Sequence, residues 1–227
     1  MSYTSMEDAH LTYYKLMDGL ESLLNIGSGK VLDLSFNDFV TARHMVDNRG
    51  VHEVRSVSDM KVICYPGIEA VRIDRNLSYT IRRMRADTIV SLGGSFRFQP
   101  IHDVMYSIHG CLSVGGRVLI AVYPGLYNMK GKDMLAAYSA GSGIPVAEKL
   151  SRWHKTVFNT ISNLFVNVKQ EEVIMDTDPG EVMALFSSDC FYRYLFRDSA
   201  DYDKFFSLIG EENRYVLSWK VINALKV

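Results

Sequence analysis

Hydrophobic residues follow two rhythms along the chain. One is the short unbroken run, seen at 31–34 (VLDL), 86–92 (ADTIVSL) and 118–122 (VLIAV). Runs of this length, bounded by glycine or turn residues, predict strands buried on both faces of a parallel sheet. The other rhythm recurs every three or four positions. Tyr13, Leu16, Met17, Leu20, Leu23 and Leu24 predict an amphipathic helix over 6–24. Segments 39–48, 101–112 and 146–165 predict further helices, the last carrying Leu150, Trp153, Val157, Ile161 and Leu164 as one stripe. Less regular strands are expected over 51–58 and 68–73. Alternating strands and helices predict an open parallel sheet, whose ligands bind outside the carboxyl ends of the strands.

Past residue 165 the pattern predicts strands at 166–175 and 181–187, joined by Asp176-Thr177-Asp178-Pro179-Gly180 as a turn. A helix is expected over 200–209, and the tail 215–227 suits either helix or strand. If 215–222 is the last strand, 181–187 becomes helical. Phe191, Tyr192, Tyr194, Phe196, Phe205 and Phe206 are expected to form a second small core or a surface for homo- or hetero-oligomers. Gly125, Gly131, Gly141, Gly143 and Pro145 surround a short helical segment at 133–138, a spacing that makes 125–145 a candidate lid.

A chain of 227 residues, 48% of them hydrophobic, can bury a full core. The simplest organisation is one domain: an N-terminal helix (1–29), a core (30–124), a lid and helix (125–165), terminal strands (166–187) and a C-terminal extension (188–227). The net charge of -1 provides no global attraction to nucleic acid or anionic membrane. MSYTSMEDAH has no signal-peptide pattern, and no window of about 18 apolar residues could span a bilayer, so a cytoplasmic location is expected. Cys64, Cys111 and Cys190 are far apart, which predicts reduced thiols and no metal site.

Two segments carry a family resemblance. Lys30-Val31-Leu32-Asp33-Leu34 resembles the opening of the class I methyltransferase cofactor domain, usually written V-L-D-L-G-x-G-x-G, with Ser35, Asn37 and Phe39 where the glycines stand. Leu112-Ser113-Val114-Gly115-Gly116-Arg117-Val118-Leu119-Ile120 resembles L-x-P-G-G-x-L-x-I before strand five, with Val114 in place of proline. The resemblance covers residues 5–187. It implies a doubly wound α/β fold, with a mostly parallel seven-stranded sheet, helices on both faces and an α-helical, aromatic C-terminal extension. It further implies S-adenosylmethionine as cofactor and a small-molecule acceptor.

Carried over residue by residue, the resemblance places Asp33, Ser35 and Asn37 in the cofactor loop, and Ser58 or Asp59 at the ribose. Asp74 would meet the adenine amino group, Ser91, Leu92 and Gly93 would line the end of strand four, and Tyr13 and Tyr14 would cover the site. Methyl transfer depends chiefly on in-line placement and needs no fixed triad. Tyr127 and His154 are the candidate catalytic groups. No Gly-x-Ser-x-Gly, P-loop or His-Glu-x-x-His occurs, and Asn-Pro-Pro-Tyr is missing after strand four, which lowers DNA adenine methylation as an expectation. The alternatives are an inactive homologue serving as a scaffold or partner subunit, and an RNA-binding or RNA-modifying protein using Arg72, Arg75, Arg82, Arg83 and Arg85.

Overall fold

A computed structural model describes residues 4–20, 29–59 and 65–227. In chain order the elements are α1 (Thr4–Gly19), β1 (Val31–Asp33), α2 (Val40–Arg49), β2 (Val54–Ser58), β3 (Ile68–Arg72), α3 (Leu77–Arg82) and β4 (Ala86–Leu92). A single 3-10 turn (Gly94–Arg97) leads to α4 (Ile101–Cys111), β5 (Leu112–Asn128), α5 (Met134–Ser142) and α6 (Val146–Ser162). The chain closes with β6 (Val166–Thr177), α7 (Pro179–Ser187), α8 (Asp189–Leu195), α9 (Ser199–Ile209) and β7 (Tyr215–Leu225).

The described strands form one seven-stranded sheet in the order β3-β2-β1-β4-β5-β7-β6. The first five run parallel, while β7 is antiparallel to both β5 and β6. The order reverses direction between β1 and β4, so their carboxyl ends diverge into a crevice where open α/β sheets take ligands. Helices α1, α2 and α7 pack together, as do α3, α4 and α6, giving one helical layer on each face. Burial follows the expected stripes: Tyr13, Leu16, Met17 and Leu20 of the first helix, and Leu150, Trp153, Val157 and Ile161 of α6, all belong to the core. The expected end of the first helix at Leu23 and Leu24, and Cys64, lie outside the described residues, as does the side chain of Cys190. Cys111 is buried, and burial pushes its thiol up to about 11, consistent with an inert packing role.

The terminal hairpin is corrected. Residues 181–187 are helical, in α7, and the last strand is β7, inserted between β5 and β6. Asp178 accepts a hydrogen bond from the Glu181 N–H at 2.9 Å and Pro179 follows it, which is a helix start rather than a hairpin turn. Buried Glu181 then ties this helix to α1: Lys15 Nζ donates to its Oε1 at 2.6 Å and Thr177 Oγ1 donates to its Oε2 at 2.7 Å. Residues 188–227 thus divide between a helical, aromatic part and a strand of the sheet itself. Phe191 and Phe205 are fully buried and Phe196 is nearly so, and all three join the same hydrophobic core as the sheet instead of the separate second core expected.

The expected lid is docked. β5 runs on through Gly125 to Asn128, and Met134, Leu135 and Tyr138 of α5 are buried, with the Tyr138 hydroxyl donating to the Asp201 carbonyl at 2.8 Å.

Candidate functional site

β1 ends in Asp33, whose side chain is completely buried. It accepts the Ser35 N–H at 3.0 Å and the Ser56 hydroxyl at 2.7 Å. Burial pushes its carboxyl above the ordinary range, and the bonds from Ser35 and Ser56 pull it partly back. The carboxylate thereby fixes the turn leaving β1 and joins it to β2, where Ser56 lies opposite Asp33 in register. Ser35 extends the connection to β4: its Oγ accepts the Leu92 N–H at 2.9 Å, and Ser91 Oγ donates to the Leu34 carbonyl at 3.0 Å.

The loop keeps left-handed backbone without any glycine. Phe36, Asp38 and Phe39 have φ of 55°, 53° and 66°, so the strained positions are 36, 38 and 39, not 35, 37 and 39. Ser35 and Asn37 carry no such strain, and Asn37 serves the helix start, its Nδ2 donating to Thr41 Oγ1 at 2.8 Å. The Phe39 ring is buried in the core, so it leaves the loop surface free. L-residues in this region cost about 1 kcal/mol or more relative to glycine. Exposed Asp38→Gly is therefore expected to stabilise the protein by about 0.5 to 1 kcal/mol, the gain being trimmed by the freer unfolded chain, as read by urea denaturation.

The turn after β4 lies across this loop. A Cβ on Gly94 would collide with the Leu34 carbonyl oxygen and approach the Ser35 Cα to 2.9 Å. Gly93 has φ 73°, and a Cβ there would stand 3.1 Å from the Phe191 ring and 3.3 Å from the Tyr13 hydroxyl. Phe96 joins the same aromatic group, with ring centroids 6.0 Å from Trp153, 5.3 Å from Phe191 and 4.4 Å from Tyr194. Arg97 reaches the other way. Its guanidinium passes 5.1 Å from the Phe36 ring centroid and forms an ion pair with Asp59, just past β2.

No protein-family model and no curated protein matches the chain. Solved structures do. A protein solved as a candidate methyltransferase from Bacillus halodurans C-125 aligns at TM-score 0.57 and 10% identity over 92% of this chain and 98% of that one. A candidate sarcosine dimethylglycine methyltransferase from Galdieria sulphuraria aligns at 0.54 and 13%, covering 95% and 86%. Spermidine synthase from Thermotoga maritima aligns at 0.52 and 13% over 95% of this chain and 59% of that one. The chain has the class I methyltransferase fold.

In the class I frame, Asp33, Ser35, Ser91, Leu92 and Gly93 meet at the β1–β4 crevice, and Tyr13 stands beside Gly93. Tyr14 instead faces His44, with ring centroids 5.2 Å apart. Ser58 is buried at the end of β2, leaving half-exposed Asp59 as the accessible group. Asp74 points to solvent, 3.5 Å from Arg83, in a groove it shares with Arg55, Arg72 and Thr80. Tyr127 lies six residues beyond Ala121, the register partner of Leu92, and so about 20 Å further along the strand. His154 packs against Tyr123, ring centroids 6.0 Å apart, and its Nε2 is buried without a hydrogen-bond partner. Burial, then the charge of Lys220, hold its pKa below the usual histidine value, so it is neutral at pH 7.

The arginines separate. Arg82 donates to Ser107 and Arg85 to the Gly110 carbonyl, both on α4, whereas Arg75 and Arg83 lie 4.7 and 5.6 Å from the Tyr79 ring centroid. Among the described residues no group of three or more His, Cys, Asp or Glu could hold a metal, and no helix is long and apolar enough to cross a membrane. Sequence reasoning missed Ser56, Gly94 and Arg97. Only the position of the last two, directly after strand four, could have pointed to them.

Proposed function

We propose that this chain is an S-adenosylmethionine-dependent methyltransferase acting on a small molecule, with the cofactor laid across the carboxyl ends of β2, β1 and β4. The observation that carries the reading is the convergence of Asp59, the Asp33-ordered loop and Gly93 where the strand order reverses. Half-exposed Asp59 fits a ribose, since one carboxylate can accept both hydroxyls. When bound, the cofactor supplies an electrophilic methyl group on a sulfonium. Buried Phe96, Trp153 and Phe191 would exclude water beside it, and half-buried Tyr194 would offer a ring face to its positive charge. His154, whose Nε2 is buried without a partner beside Tyr123, could take a proton from the acceptor only once that nitrogen is uncovered.

The test is calorimetric titration with S-adenosylhomocysteine. Binding is expected, and Asp59→Ala should weaken it about ten- to a hundredfold, or about 1.5–3 kcal/mol, the worth of hydrogen bonds to a charged group. Failure of the folded protein to bind at millimolar ligand would overturn the reading. A specific observation favours a second one, a partner subunit without cofactor: Phe191 and Tyr13 already press on Gly93, where the methionine end would lie.

A further inference from the structure

One side chain ties together the strand ends that a cofactor would cross. Arg97 starts from the turn after β4, passes over Phe36 of the β1 loop and pairs with Asp59 past β2. The close seat of Gly94 on Leu34 and Ser35 holds the turn low enough for that reach. Resting on the cofactor reading above, we propose that Arg97 is a built-in competitor for Asp59, so that the cofactor's ribose must displace its guanidinium to bind.

The physical argument concerns a shared acceptor. A guanidinium engages a carboxylate through directed N–H donors in the same plane that two vicinal hydroxyls need. Arg97 engages Asp59 Oδ2, one of the two oxygens a ribose diol would use, so the two partners compete for that oxygen. Both groups are accessible, Arg97 at 28% and Asp59 at 50% side-chain exposure, and such pairs are worth at most about 1 kcal/mol. The latch opens without unfolding anything. It lowers cofactor affinity by a small, salt-sensitive factor, because screening weakens an exposed pair while leaving the hydroxyl bonds of a net-neutral ligand nearly unchanged. Arg97 thus sets affinity at the site rather than building it.

The test uses the full chain and S-adenosylhomocysteine. Arg97→Met keeps a long unbranched side chain and removes the guanidinium that lies over Phe36. It is expected to bind up to about fivefold tighter than wild type. Wild-type affinity is expected to rise as NaCl is raised, and that response should vanish in Arg97→Met. Equal or weaker binding by a folded Arg97→Met, or an unchanged salt response, overturns the latch and leaves the cofactor reading standing. No binding by either folded protein overturns both. If Arg97→Met does not fold, the wild-type salt titration decides alone: rising affinity supports the latch, and flat or falling affinity overturns it.

Discussion

Gly94→Ala is expected to destabilise the protein by about 3 kcal/mol, toward the upper end of what overpacking costs. The reason is the identity of the atoms a methyl would meet. Both the Leu34 carbonyl oxygen and the Ser35 Cα are backbone, so no side chain can rotate away. The turn would have to lift from the β1 loop, and the loop is held from below by the Asp33 bonds to Ser35 and Ser56. Gly110→Ala is the matched control. Nothing lies within 4 Å of a Cβ there and the residue is helical, so alanine should be neutral or stabilise by up to about 1 kcal/mol. Urea denaturation reads both, and an unchanged slope with a lowered midpoint for Gly94→Ala marks a true loss of stability. A loss below about 0.5 kcal/mol for Gly94→Ala would mean that the turn does not seat on the loop.

The strands buried on both faces were the most legible part of the chain. Residues 86–92 form β4 as expected, because its second half, 89–92, is buried on both sides and apolar but for Ser91. The end of the chain was read less well for two reasons. Residues 182–186 are one unbroken apolar run, which suits a buried strand or a buried helix alike, and only the Asp178-Pro179 start identifies a helix. The place of β7 is set by pairing with residues 117–128 of β5 and 166–177 of β6, contacts that leave no mark on its local pattern. At the site the logic repeats. Asp33, Ser35 and Leu92 were readable because strand ends point at the crevice, whereas the Arg97–Asp59 pair depends on the direction in which a turn leaves a strand. The loop itself shows how residue type can mislead: left-handed backbone persists at Phe36, Asp38 and Phe39, where no glycine announces it.

Phe191→Ala should be the most damaging single truncation at the site, costing about 3–5 kcal/mol. The ring is fully buried and touches three other aromatic side chains, Phe96, Phe186 and Trp219, at centroid distances of 5.3, 5.6 and 6.1 Å. These neighbours come from the turn after β4, from α7 and from β7, so no one element can collapse into the void. Against the roughly 5–15 kcal/mol that holds a typical domain together, that loss is about a fifth or more of the total. Phe191→Leu, which keeps much of the volume, is expected to cost less than half as much. The same ring covers Gly93, so the two variants also separate the two functional readings. If the crevice takes a cofactor, S-adenosylhomocysteine should raise the melting temperature of Phe191→Leu at least as much as that of wild type, since a smaller side chain leaves more room beside the Gly93 backbone. If the aromatic cover is permanent and the chain acts as a partner subunit, both variants should melt lower and neither should respond to the ligand.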